Sequence, residues 1–193
     1  MEIILKNVPM YFEAIYEPRA IQGGSGANKP SYGARFAIEP GSDNHKTIIA
    51  AIEKVAKEHP KWGAKWEAVL KQLREDKKVC YIEAEYKNKD GDVYEGFENS
   101  FSIGTRSEKL KPTVKDKFNR DVVAGDPGAP YAGCRVHAAL DIWAQDNDFG
   151  RRINAVLQGV MFASDGTPVG GGRPASDSTF AGFAAEPSTE DFV

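Results

Sequence analysis

Along residues 130–147 apolar and polar positions alternate with period two, the mark of a strand with one buried face. Ala132, Cys134, Val136, Ala138, Leu140, Ile142 and Ala144 fall on one side, all small or apolar. Tyr131, Arg135, His137, Asp141 and Trp143 fall on the other, with Gly133 and Ala139 between them. A side meant only for water does not ordinarily gather Tyr and Trp beside Arg and His. One that holds a polyanion with stackable rings does.

The same reading predicts a long or bulged strand over residues 2–17, where Pro9 marks an edge or a bend. Residues 19–31 (RAIQGGSGANKPS) are glycine-rich and without period, so they form a loop, either simply mobile or closing over a ligand backbone. A second strand follows at 32–39, with Tyr32, Phe36 and Ile38 facing in and Arg35 facing out. Ser42 or Asp43 caps a helix whose stripe is Ile48, Ile49, Ile52, Val55 and Ala56. Pro60 opens another helix, with Trp62, Trp66, Val69, Leu70 and Leu73 on one side as a packing seam. Period two returns in a hairpin, 79–87 and 92–103, turned through Asn88-Lys89-Asp90-Gly91. After the central strand come a turn at Phe149-Gly150-Arg151-Arg152 and a last strand at 153–163.

These elements predict a mostly β fold with a helical insertion at about 42–75. The count fits an OB-fold-like Greek-key barrel of five to six strands, a single domain over residues 1–173. The pattern also permits another small barrel or a sandwich. Residues 174–193, rich in Ser, Ala, Pro and acid, are expected to be a flexible, disordered tail.

Charge changes the picture. The chain of 193 residues carries a net −3, which by itself argues against a nucleic-acid partner. After Arg173 there is no Lys or Arg, while Asp177, Glu186, Glu190 and Asp191 remain. Without those four acids, 24 acidic residues face 25 basic ones, a net +1 over residues 1–173. The acidity belongs to the tail.

Catalytic and metal chemistry find little support. His45, His59 and His137 are scattered, Cys80 and Cys134 lack zinc spacing, and no GxSxG, HExxH or Walker pattern occurs. Gly170-Gly171-Gly172 is followed by no Lys-Ser or Lys-Thr. Asp90 and Asp92 resemble a fragment of a calcium loop whose later ligands are missing. Asp141, Asp146 and Asp148 can be imagined as a two-metal nuclease site, though turn chemistry accounts for the last two. The expectation is a protein without catalytic residues, metal or cofactor. Two isolated cysteines suit a reducing compartment, and the N-terminus shows no cleavable signal pattern. No apolar run reaches the roughly 20 residues of a membrane span, so no membrane partner is expected.

Residues 106–120 hold Arg106, Lys109, Lys111, Lys115, Lys117 and Arg120 against Glu108 and Asp116, with Phe118 among them. This is either a solvated charged loop or an electrostatic contact surface. With Arg35 on an earlier strand, Tyr131, Arg135, His137 and Trp143 on the central one, and Arg151 and Arg152 beyond the turn, the window supplies cations and rings for a single strand. Holding such a strand without sequence preference takes Lys and Arg along a groove and rings at base spacing.

PYAGCRVHAALDIWAQDN followed by GRRINAVLQGVMFASDGTPVGGG resembles a phage single-stranded DNA-binding protein family. The matching features are YAGC, the Asn154–Val160 segment, the close from Asp165 to Gly172, and Lys111-Pro112-Thr113-Val114. The likeness covers residues 111–172, thins over the first strands and is absent at 19–31. It implies an OB-fold core coating single-stranded DNA in phage replication or recombination, in the cytoplasm of an infected bacterium. Glu190-Asp191-Phe192 resembles the acidic, aromatic-ended tail of such proteins, although Val193 follows the Phe. That likeness implies a groove competitor and a docking segment for replication or recombination partners. The alternatives are a DNA-processing nuclease and a phage structural or assembly protein.

Overall fold

The computed structural model describes residues 1–20, 29–167 and 169. Its strands are β1 (Glu2–Arg19), β2 (Ser31–Ile38), β3 (Tyr81–Ile82), β4 (Phe101–Gly104), β5 (Thr113–Lys115), β6 (Arg135–Asn147) and β7 (Gly150–Ser164). They form one mixed open sheet in the order β3-β4-β2-β1-β6-β7-β5. All neighbours are antiparallel except β5 and β7. The count of five to six strands is thus corrected to seven. The strand not foreseen is β5, three residues and too short to show periodicity.

Alternation on β6 is realised as expected: Val136, Ala138, Leu140 and Ile142 are fully buried. On β7, Ile153, Ala155 and Leu157 are buried and then Val160, because Gln158 is an extra residue opposite the Ala139–Leu140 step. β1 shifts register three times, between Leu5 and Val8, between Tyr11 and Ala14, and between Ala14 and Arg19. The first two each contain a residue with left-handed backbone, Asn7 (φ 52°) and Phe12 (φ 51°).

Two helices, α1 (Asp43–Lys57) and α2 (Trp66–Glu75), fall within the predicted insertion. The Ser42 hydroxyl accepts from the His45 N–H at 3.2 Å and caps α1. Ile48, Ala51, Ile52 and Ala56 of α1 and Leu70 and Leu73 of α2 join Leu5, Met10, Ile15, Phe36 and Leu140 in one core. Trp62 is buried but precedes α2, so the expected i, i+4 tryptophan seam does not lie on one helix.

Beyond the ladder, Cys80 N–H donates to the Ile153 carbonyl (2.9 Å), Ile153 N–H to that of Lys78 (3.0 Å), and Arg106 N–H to that of Ala155 (3.0 Å). These bonds draw β7 toward the β3 end of the sheet. The segment 83–100 crosses the face opposite the core. Its predicted turn is present, with the Asn88 side-chain oxygen accepting from the Asp90 and Asp92 N–H groups. The regular hairpin expected around it shrinks to the β3–β4 pair and a Lys87–Val93 bridge. Among the described residues no helix is long and apolar enough to cross a membrane.

The two faces of the sheet differ in consequence. Leu140→Ala should cost about 2–5 kcal/mol in urea unfolding. Ile4→Ala, on the outer face and 61% exposed, should change stability by less than about 0.5 kcal/mol.

Candidate nucleic-acid interface

Because Ile142 and Ile153 point into the core, their neighbours Trp143, Arg152 and Asn154 must point out. Trp143 pairs with Asn154 across the hairpin, and Gln145 with Arg152. The segments 77–80 and 104–109, held to β7 by the backbone bonds above, form the opposite bank. Between them lies a cleft of about 490 Å³. Lys77, Lys78, Arg106, Lys109 and Arg152 line it, with Glu108 the one carboxylate among the described lining residues, and Lys78 also reaches the exposed Asp76 at 3.1 Å. Trp143, 39% exposed, is its ring. Glu108 stands 3.8 Å from Arg106 and 3.9 Å from Lys29, all three being solvent-accessible. Such pairs contribute little, and a phosphate can replace them. Burial pushes the Cys80 thiol in the cleft wall up to about 12, so it is no nucleophile at neutral pH.

The structure therefore brings Trp143, Arg152, Arg106 and Lys109 together and separates other predicted site residues from them. Tyr131 precedes β6 instead of lying on it, and its hydroxyl donates to Asp165 (2.8 Å). The stripe is broken there because Gly133 takes a left-handed turn. The Arg135 guanidinium donates to the side chain (3.1 Å) and carbonyl (2.6 Å) of Asn7, which pins the first β1 bulge. Arg151 lies within β7, not in the turn, and donates to Asp146 (3.1 Å). His137 and Lys115 share a separate outer groove with Ile4 and Met161, and Lys115 is paired with Asp121 at 2.7 Å.

The window 106–120 is thus not one surface. Lys111 lines a third hollow with Arg19 and Tyr16. Lys117 and Arg120 flank the exposed Phe118 ring at 5.0 and 5.1 Å. The reason is Asp116, which accepts from the Phe118 and Arg120 N–H groups and folds the window into a tight turn.

The three acids considered for a nuclease site are apart in function. Asp141 holds the terminal ammonium of Met1 at 2.6 Å. Asp146 accepts from Trp62 Nε1 (2.8 Å) as well as from Arg151, fastening the helical insertion to the β6–β7 hairpin. Among the described residues no group of three or more His, Cys, Asp or Glu is placed to hold a metal ion. Glu190, Asp191 and Phe192 lie outside the described residues.

Sequence reasoning missed Lys77 and Lys78, whose signal was a basic pair just after the second helix. It also missed a ring cluster on the outer face of β1, β2 and β4. There Phe12 packs edge-on against Tyr86 (5.9 Å) and Tyr94 (5.0 Å). The Arg35 guanidinium, expected at the surface, is half-buried over the Tyr86 ring at 3.8 Å and donates to Ser102 Oγ at 3.0 Å. The available signal was the density of Tyr and Phe in a segment otherwise full of turn residues.

A curled sheet with cations and rings on its outer face, and apolar side chains within, has the make-up of a module for a flexible polyanion. The family model described as "Enterobacter phage Enc34, ssDNA-binding protein" matches residues 1–193, and the chain belongs to that family. It is 33% identical over 183 residues to protein p50 of Acyrthosiphon pisum secondary endosymbiont phage 1, covering 93% of this chain and 92% of that protein. The fold is similar to that of the single-stranded DNA-binding protein from bacteriophage Enc34 solved in complex with ssDNA. The TM-score is 0.66 at 21% identity, over 88% of this chain and 89% of that one. It is also similar to gp2.5, a single-stranded DNA-binding protein encoded by bacteriophage T7, with TM-score 0.50 and 14% identity over 97% and 98% of the two chains.

The Trp62 hydrogen bond first, then Arg151 and Lys61, holds the Asp146 carboxyl below its ordinary range. A folded-state value below the unfolded one adds stability above the ordinary carboxylate range, which is lost as pH falls through the folded value. Thermal unfolding of Asp146→Asn should therefore show a lower midpoint at neutral pH and a flatter decline on acidification than the unsubstituted protein.

Proposed function

We propose that this protein binds single-stranded DNA without sequence preference, as a non-catalytic coating protein of phage replication or recombination. The observation that carries this reading is the cleft in which an outward Trp143 stands among five cations and one carboxylate. Phosphates meet Lys77, Lys78, Arg106, Lys109 and Arg152, while a base stacks on the indole. The two amides in the lining, Asn154 and Gln145, hydrogen-bond each other at 3.1 Å, and stacking on the indole tolerates any base. The family and the fold support the same conclusion.

We read the curl that brings Lys78–Cys80 against Ile153 as an OB-like closure, with residues 1–173 a single binding domain. The acidic stretch ending in Glu190-Asp191-Phe192 completes the proposal as a groove competitor and a docking segment for replication or recombination proteins. Its support is composition alone. The place of action is the cytoplasm of the infected host.

Oligo(dT) should quench the Trp143 fluorescence, and the quenching should vanish in Trp143→Phe, which leaves the buried Trp62 and the partly buried Trp66 as background. Affinity should fall with salt at a slope of about −0.7 per phosphate contacted. Trp143→Ala should weaken binding by about 1–3 kcal/mol with unfolding unchanged. Duplex DNA bound as tightly as the single strand refutes the reading. Removal of residues 174–193 should raise affinity at low salt and leave it unchanged at high salt; equal affinity at low salt removes the competitor role.

A further inference from the structure

We propose a second ligand-binding station: a nucleobase-stacking platform of Phe12 and Tyr94, backed by Tyr86 and Arg35, which takes a base and phosphate from a strand already held in the Trp143 cleft. It rests on the single-strand reading above and extends it to residues outside that cleft.

Backbone strain is the first support. The first two register shifts of β1 each contain a left-handed residue, and the first uses Asn7, a residue type that tolerates this conformation. The second uses Phe12 at φ 51°, where a bulky side chain is disfavoured. The ring placed there is 53% exposed, so burial does not compensate for the strain. Strained residues that the surrounding structure maintains concentrate at ligand sites.

Ring geometry is the second. Tyr86 and Tyr94 stack nearly parallel (5.1 Å, 21°), and Phe12 stands edge-on to Tyr94 at 80°. Anchoring the segment 83–100 is already done beneath them by Tyr11 and Phe97, which are 8% and 0% exposed. Gly96 permits that anchor, since a Cβ there would lie 2.3 Å from the Tyr11 hydroxyl. Phe12 and Tyr94 thus remain as an accessible wall above a finished cluster.

Charge is the third. Arg35 is in none of the ion pairs formed among the described residues. Half-buried, it spends one N–H on Ser102 Oγ and one face on the Tyr86 ring, which leaves its other donors for an anion. Arg19 lines the same pocket of about 390 Å³, and among the described residues no carboxylate does. Gly104 lines both this pocket and the Trp143 cleft. A Cβ at 104 would lie 2.7 Å from Arg35 Nη2, so the glycine keeps guanidinium and passage in place. One strand can run from cleft to platform across Gly104.

The test titrates oligo(dT) of about 4 and about 16 nucleotides into the full chain, reading Trp143 quenching. Phe12→Gly removes the ring but suits the left-handed backbone, so the bulge is retained; far-UV circular dichroism checks this. Phe12→Gly and Tyr94→Ala should each bind the longer oligonucleotide about tenfold more weakly and leave the short-oligonucleotide affinity in the cleft unchanged. Phe12→Tyr should restore the long-strand affinity. Unchanged long-strand affinity in both truncations, or equal weakening at both lengths, overturns the platform while the Trp143 cleft stands. No quenching at either length in the unsubstituted protein overturns the parent reading and this one with it.

Discussion

Everything outside this sheet is set by what must be inside it. Leu140, Ile142, Ile153 and Ala155 are committed to the core, and a pleated strand then has no choice about where Trp143, Arg152 and Asn154 point. The β6–β7 hairpin, the longest pairing in the molecule, carries that constraint from one end of the sheet to the other. The cleft exists because Lys78–Cys80 and Arg106 complete hydrogen bonds that β7 would otherwise leave open. Core packing and interface are therefore two sides of the same alternation.

The parts of this arrangement visible in the sequence are those that depend on local periodicity. The inner stripe from Cys134 to Ile142, the Ser42 cap and the Asn88–Gly91 turn each follow from residues within a few positions of one another. So did the outward placing of Trp143. What stayed hidden depends on distant partners. Arg135 looks like a surface cation until the Asn7 bulge, 128 residues away, is found to take its hydrogen bonds. Arg151 is claimed by Asp146, and Lys115 by Asp121. Net charge within a window did not say which cations remain available.

The ring cluster was hidden for another reason. Tyr86, Tyr94 and Phe97 sit in a segment with almost no ladder bonds, so period-two reasoning had nothing to act on. Their arrangement depends on a bulge in β1 that rotates Phe12 out of register. Gly96, where a Cβ would meet the Tyr11 ring, and Gly104, where one would displace the Arg35 guanidinium, are the local traces of that packing. Close approach of backbone to ring or guanidinium is a three-dimensional fact that a sequence records only as a glycine.

The two ends of the sheet are also informative. β3 has two residues and β5 three, and β5 is entered through Pro112 and closed by Lys115. Short margins of this kind give an incoming strand little to pair with. A protein proposed to line up in many copies on one polymer would meet its neighbours at very high local concentration. Blunt margins let such copies crowd together without fusing their sheets into an aggregate.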